Sequence, residues 1–207
     1  MAIDSFLFQL MYTASAALLY PVVILLLLAV AASLGLIGEF ISEYAKRHRN
    51  VRELEKVGRS VQESVKASSL DNAAEKLHSL DQNQLVTSFA KDAGEYLKQN
   101  SISSIDWLSE EYEVRMTKRL EQTKILSTVA PMLGLMGTLI PLGPALIGLA
   151  QGDILQLANN LMIAFATTVL GLFAGVVGYV LTLIRKRWYW QDMADIDYLM
   201  DSMGSDQ

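Results

Sequence analysis

Thr138, Thr167 and Thr168 carry the side chains in this sequence that are hardest to account for as packing alone. They place hydroxyls at the middle of two long apolar stretches that offer no other polar side chain at that depth. A threonine hydroxyl can hydrogen-bond a carbonyl one turn back in its own helix, so each taken singly fits a structural role. Taken together, they are the side chains there able to hold a water chain, steady a hydrated ion or hydrogen-bond a carboxylic acid. No Asp, Glu, Lys, Arg or His lies inside either stretch. A proton relay needs an ionisable group in the membrane, so here another chain would have to supply it.

The threonines border two stripes of small or kink-forming residues. One runs through Ser127, Ala130, Gly134, Gly137, Pro141, Pro144 and Gly148, the other through Ala164, Thr168, Gly171, Gly175, Gly178 and Thr182. Spacings that alternate three and four keep one seam facing a neighbouring helix. In lipid, small seams mark close helix packing, because burying apolar groups gives no drive there. Gly134, Gly137, Gly171 and Gly175 are therefore expected to be packing positions, with a larger side chain at any of them breaking assembly. Pro141 and Pro144 each remove a helix hydrogen bond and are expected to kink the outer end of their helix. Thr168 lies on its stripe and Thr138 borders the other, so both are expected to face an ion path. Thr167, about 100° around the helix from Thr168, is expected to point elsewhere.

The elements that hold these residues follow from the distribution of charge. The chain has 207 residues, 52% of them hydrophobic, with 17 basic and 22 acidic residues and a formal charge of −5. No charge occurs between Asp4 and Glu39, between Lys124 and Asp153, or between Asp153 and Arg185. About 20 apolar residues cross roughly 30 Å of hydrocarbon as a helix, and each run is longer. The fold class is an all-α integral membrane protein with three transmembrane helices and long cytoplasmic helical extensions. The first run has no Lys or Arg before it and is too long for a signal peptide, although Ala29-Val30-Ala31 resembles a cleavage site. The absence of Cys excludes disulfide scaffolds and thiolate metal sites, and the acidic balance argues against nucleic-acid binding.

Basic residues set the orientation. Lys46, Arg47, Arg49 and Arg52 follow the first span, Lys118, Arg119 and Lys124 precede the second, and Arg185, Lys186 and Arg187 follow the third. The layout is an external N-terminal segment (1–17), a first span (18–38), a cytoplasmic helical segment (39–124), a second span (127–149), an external loop (150–159), a third span (160–184) and a cytoplasmic acidic tail (185–207). Trp188, Tyr189 and Trp190 sit where an interfacial aromatic belt belongs. The middle segment holds 14 of the 17 basic and 15 of the 22 acidic residues, contains no Pro, and reads as helix throughout. The first span is expected to continue through 39–66. Breaks are expected at Ser68-Ser69-Asp71 and at 101–104, where Ser103 with Asp106 fits a capping box launching a helix that runs on into the second span. Met193, Ile196, Met200 and Met203 predict a short amphipathic helix in the tail. The charge runs and both histidines, His48 and His78, read as solvated surface. The chain has no phosphate-cradling loop, nucleophile elbow or metal-ligand spacing, so nothing in it reads as an enzyme, a metal site or a cofactor site.

Ala130-Pro131-Met132-Leu133-Gly134-Leu135-Met136-Gly137-Thr138 resembles the APxxGLxGT signature of the TolQ/ExbB/MotA proton-channel family. Ala164-Phe165-Ala166-Thr167-Thr168-Val169-Leu170-Gly171-Leu172 resembles that family's last-helix element, with Thr168 on its threonine. The three-span layout is similar to TolQ and ExbB rather than to the four-span MotA. The resemblance implies a homo-pentamer in the cell (inner) membrane, with the second and third spans lining a central pore. It also implies two copies of a single-span ExbD/TolR/MotB-like partner inside the ring, carrying the membrane Asp. Ion flow, of protons or sodium, would then drive mechanical work through that partner. Ile163 stands where TolQ and ExbB carry Glu, and their later proline is absent from the third span. A membrane scaffold without ion conduction and a self-sufficient small-solute channel are the competing classes.

Overall fold

The computed structural model describes residues 2–99, 101 and 103–204; the side chains of 2–5, Phe8 and Ser103 lie outside that description. Among the described residues, seven helices follow one another: α1 (Ala2–Ala17), α2 (Leu19–Lys46), α3 (Val51–Lys66), α4 (Leu70–His78), α5 (Gln84–Lys98), α6 (Ser103–Gln151) and α7 (Ile154–Met203). No strand occurs among the described residues. Three stretches are long and apolar enough to cross a membrane: Gln9–Lys46, Ser104–Gln151 and Ile154–Met203. At 1.5 Å per residue, α6 and α7 each have a contour of about 75 Å, more than twice the hydrocarbon thickness, so most of each lies outside any span.

The chain divides into two compact units. One holds the residues up to Glu39 together with Gln122–Thr182; the other holds Phe40–Glu121 and the residues from Leu183 onward. In the first unit, α1 and α2 are separated by Leu18 alone. Pro21 accounts for the break, because it has no N–H to give the Ala17 carbonyl and its ring crowds that position. Val22, Leu26 and Ser33 form the buried stripe of α2, while Ile24, Leu25, Leu27 and Leu28 are exposed. Ala29, Val30 and Leu36 pack against Leu126 and Ala130 of α6 and Ala174 of α7. The external loop expected over 150–159 is only Gly152-Asp153, because 154–159 are already helix. Gly152 takes φ +75. Its N–H donates to the Leu149 carbonyl at 3.1 Å, and that of Asp153 to the Gly148 carbonyl at 2.8 Å. This is the paired C-terminal closure that a left-handed glycine permits. Asp153 then caps α7 by accepting from the Gln156 N–H at 2.9 Å.

The second unit is a helical bundle with an apolar core. Leu77, Val86, Phe89, Ala90, Ala93 and Leu97 of α4 and α5 meet Ile105, Leu108, Tyr112 and Met116 of α6 and Tyr189, Ile196, Leu199 and Met203 of α7. The α6 residues recur at three and four, the helical spacing of a buried stripe. Phe89 and Tyr112 meet edge to face at 5.6 Å, and the Tyr112 hydroxyl donates to Asp92 Oδ2 at 2.7 Å. The acidic tail is not a separate short helix but the end of α7, and its apolar residues Ile196, Leu199 and Met203 are fully buried in this core. His48 and His78 are both exposed, as their sequence context implies. The break between α4 and α5 at Ser79–Asn83 was not signalled by Gly or Pro; Asn83 closes it by accepting from the Leu85 and Val86 N–H groups at 3.1 Å each. The start of α6, and with it the Ser103–Asp106 capping box, lies outside the described side chains.

The first span does not continue unbroken to residue 66. It stops at Lys46, and Asn50 caps α3 by accepting from the Glu53 N–H at 3.3 Å. Arg47 leaves the helix to donate to both oxygens of Asp192, at 2.6 and 3.2 Å, and to the Trp188 carbonyl at 3.1 Å. Arg49 grips Asp195 through two bonds of 2.8 and 2.7 Å. Asn83 also donates to Asp192, at 2.8 Å. Burial pushes the Asp192 carboxyl above the usual Asp value, against the lowering pull of Arg47 and Asn83. The aromatic belt is split. Tyr189 is buried beside Glu43, at 3.4 Å. Trp188 stacks on Phe40 at 5.0 Å with the Arg47 guanidinium over its ring, and only Trp190 of the three is exposed. Arg185 is likewise buried, with its Nε donating to Glu43 Oε2 at 3.1 Å.

Removing one partner of a buried pair leaves the other desolvated and costs about 3–5 kcal/mol. Asp192→Ala is therefore expected to lower the stability of this unit by about that amount. Lys118→Ala, at an exposed position, should stay within about 0.5 kcal/mol of the parent. Hydrogen exchange across α3 and α5 in the purified full chain checks both, and equal protection in the two variants would refute the role given to Asp192.

Candidate functional site

Within the first unit, α6 and α7 run antiparallel and meet along the two small-residue stripes. A Cβ on Gly171 would lie 2.7 Å from the Gly134 Cα and 2.8 Å from the Ala130 carbonyl oxygen. A Cβ on Gly134 would lie 3.0 Å from the Thr167 carbonyl oxygen, and one on Gly178 would lie 2.6 Å from the Ser127 nitrogen. Gly175 faces the ring of Pro131, and Gly137 faces Thr167. Real side chains do not survive such approaches, so all four expected packing glycines stand where backbone meets backbone or a rigid ring or branched side chain. Their seam lies inside one chain, between α6 and α7, rather than being reserved for contacts between copies. Gly178 belongs with them.

The close approach fixes the threonines. The Thr138 and Thr168 hydroxyls are hydrogen-bonded to each other. Thr138 Oγ1 lies 2.9 Å from the Gly134 carbonyl oxygen and 3.4 Å from that of Ala164. Thr168 Oγ1 lies 3.1 Å from the Ala164 oxygen. Thr167 turns into the seam with α6. It is 4% exposed, occupies the space left by Gly137, and brings its hydroxyl 2.9 Å from the Ala164 oxygen and 3.0 Å from that of Ile163. Three hydroxyls thus converge on the Ala164 carbonyl. Thr138 and Thr168 are half-buried and Thr167 is buried. The sequence signal was present: threonines three and four residues after one alanine both reach back to its oxygen.

Each hydroxyl carries one proton, so the Thr138–Thr168 pair has two complementary arrangements. When Thr138 donates to Gly134 it accepts from Thr168; when Thr168 donates to Ala164 it accepts from Thr138. Rotating both hydroxyls interconverts them without breaking the contact. A second hydroxyl pair sits further along the seam, where Thr182 Oγ1 donates to Thr123 Oγ1 at 2.8 Å and Thr123 is fully buried. The α6 helix runs unbroken through Pro131, Pro141 and Pro144. Those prolines lack an N–H, so the carbonyls of Ser127, Gly137 and Ile140 lack their usual donor four residues on. Pro141 and Pro144 therefore change the polarity of the helix without ending it. Ile163 is 40% exposed and faces out of the seam, its carbonyl within reach of Thr167.

A family model described as the MotA/TolQ/ExbB proton channel family matches residues 82–196, more than half of the 207-residue chain. The matched stretch contains every residue of the seam. No curated protein matches the chain.

Even one added carbon should separate the two backbones at the tightest point. Gly171→Ala is expected to destabilise the α6–α7 pair by about 1–3 kcal/mol, the usual cost of overpacking. Gly137→Leu and Gly175→Leu should do more. Gly35→Ala, where a Cβ meets nothing within 4 Å, is expected to be neutral or slightly stabilising. Thermal unfolding in detergent compares them, and parent-like melting of Gly171→Ala would remove the seam assignment.

Proposed function

The chain belongs to the MotA/TolQ/ExbB proton channel family, and from that premise we propose that it is the ring-forming subunit of an ion-driven, most simply proton-driven, motor complex. In this reading five copies assemble in the inner membrane with the N-terminus outside and the C-terminus in the cytoplasm. Two copies of a single-span partner sit inside the ring and supply the titrating Asp. The basic residues flanking the charge-free runs support the orientation, and the lack of any ionisable residue inside those runs supports a carboxylate brought by the partner.

The observation that carries the proposal is the set of hydroxyls gathered on the Ala164 carbonyl. Backbone carbonyls without donors are tolerated at membrane depth where protein covers them or water reaches them. Half-buried Thr138 and Thr168 offer hydrogen-bonding sites to a proton or hydrated ion on its way to the partner's Asp. A neutral hydroxyl need not titrate for this; by reorienting it passes a hydrogen bond along. One elementary charge crossing 100 mV releases about 2.3 kcal/mol, enough to bias a two-state element but not to drive it fully, so work accumulates over repeated ion passages.

Thr168→Val keeps the shape and removes the hydroxyl. With Thr138→Val it is expected to cut proton flux at least tenfold in vesicles containing both subunits, while native mass spectrometry still finds a pentamer. Each lost hydrogen bond in a low-dielectric path is worth about 1 kcal/mol, and two together exceed that factor. Thr167→Val should change flux much less. Parent-level flux in the double variant would return the chain to a scaffold whose hydroxyls serve packing alone, and monomers or dimers in mild detergent would remove the ring.

A further inference from the structure

We propose that the outward face of α7 beyond Leu183 is a binding site for the headgroup of an anionic phospholipid. Leu183, Lys186, Arg187, Trp190, Gln191 and Ala194 recur at spacings of three and one, which places them on one face of the helix. With Arg49 they line a single groove. The opposite face of the same segment, Arg185, Tyr189, Asp192, Ile196 and Leu199, is buried in the bundle. The groove is therefore held on a fixed support rather than on a loose tail.

The chemistry of the groove is divided in the way a phospholipid is. Lys186 and Arg187 are exposed cations. Arg49 adds a third cation, a guanidinium whose Nε and Nη2 are taken by Asp195, so that pair is neutral as a whole and the net charge of the groove comes from Lys186 and Arg187. Leu183 and Trp190 are 52% and 72% exposed, a large apolar area with nothing over it. Leu183 stands at the end of the charge-free run. Lys186 to Trp190 follow about 5–10 Å further along the helix axis, the depth of a headgroup layer. A phosphodiester anion pairs with the two cations there, its acyl chain lies along Leu183, and Trp190 takes the amphipathic interfacial position. A soluble anion would leave the exposed Leu183 and Trp190 unused.

Each basic side chain near an anionic membrane surface contributes about 1 kcal/mol, close to fivefold in binding. The full chain, extracted from vesicles of phosphatidylcholine and phosphatidylglycerol and examined by native mass spectrometry, is expected to retain phosphatidylglycerol preferentially. Lys186→Gln with Arg187→Gln should reduce that retention about 30-fold. Lys56→Gln, an exposed cation on α3, should not. Both variants should melt as the parent does; if the double variant does not, the single Lys186→Gln change must still lower retention about fivefold. Equal retention of the two lipids, or retention untouched by the Lys186 change, overturns the proposal. So does displacement of the lipid by millimolar inorganic phosphate, which would assign the site to a soluble anion. Cross-links from Trp190 positions to a second copy of the chain in place of lipid would assign the face to subunit contact and overturn it as well.

Discussion

The contact between Gly134 and Gly171 is the constraint on which the membrane-type unit depends. Two helices can bring their backbones within van der Waals reach only where neither carries a Cβ in the way, and in lipid that reach is itself the attraction. Everything polar in the seam is a consequence. Because α6 and α7 lie this close, the Thr138 and Thr168 hydroxyls meet, and the Ala164 oxygen falls within reach of side chains from both helices. At an ordinary helix separation of about 8–10 Å, each threonine would have bonded its own helix and gone no further.

The other unit is organised by a different force. Its core is apolar, but its loops are tied by arginine–aspartate pairs whose carboxylates are withdrawn from solvent. Such pairs gain little net stability over an apolar substitute, because the ions must first lose their water. What they do is specify geometry. Planar guanidinium forks accept few arrangements, so Arg47 and Arg49 determine where the chain leaves α2 and turns into α3.

Much of this was legible in the residues. The charge-free runs located the three long apolar helices, and the alternation of three and four located the seam and its glycines. Ile196 and Met203 were legible as an apolar face, and the structure shows that face buried. Other features were not legible, for identifiable reasons. The stop at Lys46 has no Gly or Pro to announce it and depends on acids some 145 residues away. The place of Thr167 in the seam was not legible either, because a helix in contact over a broad stripe buries adjacent positions, and Gly137 opens room for a branched side chain. Tyr189 and Arg185 read as interfacial from their neighbours in sequence, but Glu43 draws both inward. The family match agrees with the part of the chain in which pattern and structure coincide most closely.

The turn at Gly152-Asp153 has a consequence for how the protein is made. With two residues between α6 and α7, the first has no length of chain on which to wait across a bilayer while the second is synthesised and placed. A pair joined this tightly is suited to enter as a helical hairpin, with its backbone hydrogen bonds already closed. With the turn outside, as in the proposed orientation, Asp153 is the single carboxylate between Lys124 and Arg185 to be carried through the hydrocarbon, and it sits at the tip. A longer or more charged connection would make translocation a separate step, whereas here biogenesis and packing are served by the same two residues.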